Sequence, residues 1–141
     1  MAGKQAKVIS EEFLQEALTY VEHHTQHPLR NRVMPLPSHK AGLRAKEISA
    51  LQWTMVTDGK GHLLDVLSLP DSATTGNSGR TIPLHRQLHA ALAFFMKEQP
   101  PQQSAPIIRS ARKGPLTAAN VVNWFWYLYR RLGFNRCSTV F

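Results

Sequence analysis

One glycine and two prolines set the strongest local limits on how this chain can fold. Pro35 and Pro37 stand where a helix approaching Arg44 would run, and Gly42 comes two residues before that arginine. An interior proline costs a helix about 3 kcal/mol, because it removes an amide donor and its ring collides with the preceding turn. The segment ahead of Arg44 is therefore expected to be broken, kinked or loosely held. Gly42 accepts backbone angles closed to other residues, so it can release the chain from a preceding helix and set Arg44 at a loop-to-helix junction. A guanidinium at such a junction is well placed to grip a phosphate. Beyond it, Ile48 and Leu51 fall at helical spacing on an inward face, Glu47 follows Arg44 by three, and Trp53 closes the segment. Taken alone, Arg44 and Glu47 also fit a plain surface ion pair one helical turn apart.

The remaining punctuation divides the chain into short elements. Residues 1–9 are polar and weakly patterned and read as a flexible N-terminus. Ser10 can cap a helix whose Glu11 and Glu12 favour the positive helix end and whose apolar stripe is Leu14, Leu18 and Val21. That helix should end by Pro28, and Arg30 to Met34 can start another. After Trp53 the period shortens through Met55-Val56, the turn Asp58-Gly59-Lys60-Gly61, His62 to Leu69, a Gly76-Asn77 turn and Arg80 to Leu84. This pattern predicts a three-stranded antiparallel sheet. Leu88, Leu92 and Phe95 then mark a helix that stops before the exposed linker 99–104. Ile107 and Ile108 suit a short extended piece, and Thr117 can cap a last helix running to about Leu132, with Gly133 as its stop. The fold class expected is α+β, mainly helical with a small sheet, in one partial domain over residues 10–141.

Composition narrows the partners. Seventeen Lys and Arg against nine Asp and Glu give a formal charge of +8, which favours polyanions through field strength and counterion release; a basic surface serving only solubility is the plainer alternative. With 43% hydrophobic residues in 141, one modest core is expected. The longest apolar or aromatic runs are too short to span a bilayer, and no apolar signal segment follows the N-terminus, so a cytoplasmic protein is expected. Cys137 is the only cysteine, which rules out an intrachain disulfide and favours a small packed residue over a reactive thiol. His23, His24 and His27 cluster near the first helix end, but no Glu follows His23 in zinc-protease fashion and no cysteine pair supports them. Solvated histidines and no metal are expected.

The segment Gly42-Leu43-Arg44-x-x-Glu47-Ile48-x-x-Leu51-x-Trp53 resembles the first arginine box of the tyrosine recombinases, the phage-integrase family that cuts and rejoins DNA through a phosphotyrosine intermediate. Ser78-Gly79-Arg80-Thr81-Ile82-Pro83-Leu84 is similar to the returning strand of that family's small sheet, and Ala105 to Thr139 to the segment leading to its second catalytic box. The order matches along nearly the whole chain. The resemblance implies that Arg44 is the first catalytic arginine and that Glu47 orients or buffers it. The family's hairpin lysine, which resembles a general acid for the leaving 5′ hydroxyl, aligns with Thr75. A hydroxyl cannot replace an ammonium there; Thr75 is left as a phosphate or sugar contact or as a plain turn residue. Gly133 to Thr139 leads toward the family's His-x-x-Arg, yet Val140-Phe141 follow, so the second arginine, the histidine and the nucleophilic tyrosine are not among these residues. Nor is the helical clamp domain that usually precedes. The expectation is the front half of a catalytic domain, inactive alone.

Tyr20, Tyr127 and Tyr129 lie outside any segment resembling the nucleophile region and are read as packing residues. Lys40, Arg80, Arg109, Arg112 and Lys113 flank loops and the hairpin and are candidate contacts to the DNA backbone, which would position DNA without reading its sequence; a solvated basic surface stays open for each. The last helix carries Val121, Phe125, Leu128 and Leu132 on one face with Val122, Trp126 and Tyr129 beside it. Either it is centrally buried or it leaves an aromatic patch prone to self-association or capture. The reading is a phage-type integrase or site-specific recombinase fragment with double-stranded DNA as partner. A second copy or an intact recombinase is a further partner, with no cofactor, membrane or small-molecule substrate. The alternatives are a regulatory DNA-binding or oligomer-poisoning module, and half of a split recombinase completed in trans.

Overall fold

The computed structural model describes residues 10–25, 27–74, 79–101, 105–109, 114 and 116–133. The N-terminal segment 1–9 lies outside them. Helix α1 (Glu11–His24) begins where expected, with the Ser10 hydroxyl accepting from the Phe13 amide at 3.0 Å. Its Leu14, Ala17, Leu18 and Val21 recur every three or four residues and are all buried.

The prolines resolve their conflict by falling in the first turns of helices. Pro28 opens α2 (Pro28–Arg32) and Pro35 opens α3 (Pro35–Ala41), positions where a missing amide hydrogen costs nothing. The break falls between them, at Val33 and Met34, and it is not loose, since Val33, Met34, Pro35, Leu36 and Pro37 are buried. Gly42 then ends α3 in the left-handed region at φ 67°, and the Leu43 amide turns back to the Pro37 carbonyl at 3.1 Å. Helix α4 (Ala45–Ser49) follows at once and packs chiefly against the last helix.

The sheet has two strands, not the three expected. β1 (Val66–Leu69) pairs antiparallel with β2 (Arg80–Pro83), in the register Val66 to Pro83 through Leu69 to Arg80. The expected first strand, Met55-Val56, forms part of a 3₁₀ turn over Trp53–Met55 instead. Trp53, Met55 and Val56 are all buried, a requirement that strict alternation cannot meet and one tight turn can. The Thr57 hydroxyl donates to the Trp53 carbonyl at 2.7 Å, and the Asp58 turn leaves only a single bridge, Thr57 to Leu63.

Helix α5 (Arg86–Glu98) buries Leu88, Ala91, Leu92 and Phe95, and is capped by the His85 ring, whose Nδ1 accepts from the Gln87 amide at 3.0 Å. Ile107 and Ile108 sit buried in an extended piece laid on residues 51–53. There the Ile107 amide meets the Leu51 carbonyl at 2.9 Å and the Trp53 amide meets that of Ala105 at 3.1 Å. Helix α6 (Ala118–Arg131) opens with a reciprocal cap between Thr117 and Asn120 and is followed by Gly133 at φ 82°. Its Val121, Phe125, Leu128 and Tyr129 join one core with α1, the sheet and α5. The architecture is α+β, mainly helical around a small antiparallel sheet.

Candidate functional site

Arg44 occupies the N-cap of α4 in extended geometry, φ −90° and ψ 166°, and is exposed. Gly42 and the α4 start create this placement: one ends a helix in the left-handed region, and the next helix begins three residues later. Helix α4 puts Glu47 one turn inward, where it is 2% exposed. A buried carboxylate needs donors on both oxygens, and Glu47 has them. Its Oε1 accepts from the Arg44 backbone amide at 3.0 Å and from Arg80 Nη2 at 3.2 Å, while Oε2 accepts from Arg80 Nη1 at 3.0 Å. The fork-to-fork geometry is the strongest form of an arginine–carboxylate pair. Three of the residues singled out from the sequence, Arg44, Glu47 and Arg80, are thus brought together. Glu47 accepts from the backbone amide of Arg44 and from the guanidinium of Arg80.

The base of the hairpin is tied down on both sides. Lys46 Nζ donates to the Thr74 carbonyl at 3.4 Å, and the Thr74 hydroxyl donates to the Asp71 carbonyl at 3.0 Å. Across the gap, the Gly79 amide donates to Asp71 Oδ1 at 2.7 Å. A side chain at Gly79 would bring a Cβ within 2.6 Å of that oxygen and 2.8 Å of the Leu69 carbonyl, so only glycine allows the approach. Thr75, at the place of the family's lysine, lies outside the described residues, as do Arg112 and Lys113.

The other candidate cations are placed elsewhere. Lys40, on α3, pairs with Glu11 at the start of α1, and its side chain is only 13% exposed. The Lys40 hydrogen bond is the main reason the Glu11 carboxyl lies below its ordinary value. Arg109 is exposed, and its carbonyl accepts from Arg30 Nη1 at 2.9 Å. Burial lowers the Arg30 guanidinium below its usual range. Lys46, Asp71 and Arg30 were missed from the sequence, as was the contact of Gly79 with Asp71, since no short-range spacing marks a carbonyl, a turn carboxylate and an amide that meet only after folding. Tyr129 is buried as a packing residue should be and has its ring 5.5 Å from Phe13, but Tyr127 is 64% exposed and packs no core. It stands edge-on to Trp126, itself 44% exposed, and the Arg130 guanidinium lies 4.5 Å over the Trp126 ring. One face of α6 is therefore buried while another presents aromatic rings.

An arginine at a glycine-set helix start thus stands beside the root of a short antiparallel hairpin, in a mainly helical α+β fold. The crystal structure of XerA recombinase is similar to this chain with a TM-score of 0.69 over 94% of its residues, at 12% sequence identity. The chain spans 46% of that structure, a little under half of it. No family model and no curated protein sequence matches. Among the described residues no helix is long and apolar enough to cross a membrane.

Proposed function

We propose that these residues form the phosphate-gripping part of a tyrosine-recombinase-type DNA strand-exchange domain, with duplex DNA as partner and Arg44 as the group that binds the phosphodiester. The observation that carries the reading is Arg44 itself: exposed, cationic and held at the start of α4 by a buried carboxylate, in a fold similar to that of a recombinase. A guanidinium offers a planar set of donors to nonbridging oxygens, and it serves best when its backbone is already fixed. Arg109, which is exposed, adds a positive group that would hold the DNA backbone without reading bases. The second arginine, histidine and tyrosine of the family's chemistry would come from polypeptide beyond these residues or from a partner. The exposed Trp126 and Tyr127 favour association with another polypeptide as the way a complete centre is assembled or an intact recombinase is blocked.

Fluorescence anisotropy with a labelled duplex tests the reading. Affinity should fall steeply as salt rises, and Arg44→Ala should weaken binding about tenfold and reduce the salt slope by about 1. Binding that ignores salt, or an Arg44→Ala variant indistinguishable from the parent, would sink it.

A further inference from the structure

We infer that Arg80 is a positioning residue for Arg44, acting through the carboxylate of Glu47 and not through contact with DNA; the inference rests on the proposed role of Arg44. The starting point is the use of Arg80's donors. Both Nη atoms are directed at one carboxylate, at 3.0 and 3.2 Å, and that carboxylate is 2% exposed although the Arg80 side chain is 41% exposed. Turning the fork outward to a phosphate would strip Glu47 of two donors in a place water barely reaches. The desolvation penalty opposes that movement more strongly than an exposed phosphate contact would reward it.

The topology gives the pair its consequence. Arg80 is the first residue of β2 and faces Leu69, the last of β1, so it marks the point where the hairpin ladder ends and the loop begins. Glu47 is on α4 and also accepts the Arg44 amide. One carboxylate therefore ties the backbone of the phosphate-gripping residue to the root of the hairpin, 33 positions away in sequence from Glu47. Lys46 on Thr74 and Asp71 on Gly79 secure the same root from its other side. Helix start and hairpin are held as one unit, and the orientation of Arg44 depends on a residue that need not touch the ligand.

The test combines a DNA-free and a DNA-bound readout on the 141-residue protein. Arg80→Lys retains the charge and the stem but cannot engage both carboxylate oxygens as a planar fork. Amide hydrogen exchange at Arg44 should accelerate about tenfold in Arg80→Lys, the equivalent of one charge-assisted hydrogen bond. Duplex affinity should fall by a similar factor with the salt slope unchanged, and in a Glu47→Gln background the same substitution should add almost nothing. If Arg44 exchange is unaltered, or if Arg80→Gln lowers the salt slope by about 1 in both backgrounds, Arg80 is a direct phosphate contact and the inference is overturned. A parent protein that binds no duplex would defeat the proposed function, and the exchange measurement would still decide the coupling.

Discussion

Glycine at 42 and glycine at 79 look interchangeable in a sequence but would fail differently if replaced by alanine. At Gly42 a Cβ meets nothing within 4 Å, so the penalty is conformational only, that of an L-residue held at φ 67°. Gly42→Ala should cost about 1–2 kcal/mol in urea denaturation with an unchanged m-value. At Gly79 the penalty is steric, against Asp71 and the Leu69 carbonyl, and relief requires the turn to move. Arg80→Ala removes the fork from a buried carboxylate and should cost about 3 kcal/mol, the low end for a broken buried pair because Arg80 is partly in water. Its effect on DNA binding is thus confounded with stability, which is why the lysine substitution is the more informative one. Asp58 is a gentler case. The His62 amide first, and the Lys60 amide with the His62 ring after it, hold its carboxyl below the ordinary value. A lowered folded pKa stabilises above the ordinary carboxylate range and is lost as pH falls through the folded value, so Asp58→Asn should flatten the acid limb of a stability-versus-pH curve.

Among the elements, α6 shows how one helix can serve two surfaces. Phe125 lies in the core between Trp124 and Tyr129, with ring centroids 5.1 and 5.6 Å away, and Phe125→Ala should cost about 3–5 kcal/mol by thermal or urea unfolding. Trp126 lies on the exposed side with Arg130 above it. Trp126→Ala should change stability by no more than about 1 kcal/mol, the worth of an exposed cation–π contact, while lowering any concentration-dependent association seen in sedimentation. The helix caps were legible because they are local. Ser10 and Thr117 bond to amides three residues on, within the reach of a single turn. The expected first strand was misread for the opposite reason: the shortened period at Met55-Val56 looked like a strand, but burying Trp53, Met55 and Val56 together took a tight turn.

Across the whole molecule, charge is unevenly spread. Helix α1 carries Glu11, Glu12, Glu16 and Glu22 of the nine acidic residues, so the remainder is more basic than the net +8 suggests. A polyanion would therefore approach surfaces away from α1, where like charge does not repel it. If duplex DNA binds the folded state alone, DNA at a hundredfold excess over its Kd should stabilise the protein by about 2.7 kcal/mol, read as a rise in Tm that high salt abolishes.

The helical stripes, the caps at Ser10 and Thr117, the stop at Gly42 and the junction that exposes Arg44 are written into the order of residues. Each depends on sterics or hydrogen bonds among residues a few positions apart. Long-range packing set the rest: Lys40 turns to Glu11, Pro35 begins a buried helix, and Glu47 closes on Arg80. A buried carboxylate takes the donor that packing brings to it. Which donor that is depends on how a hairpin 33 residues away settles against α4.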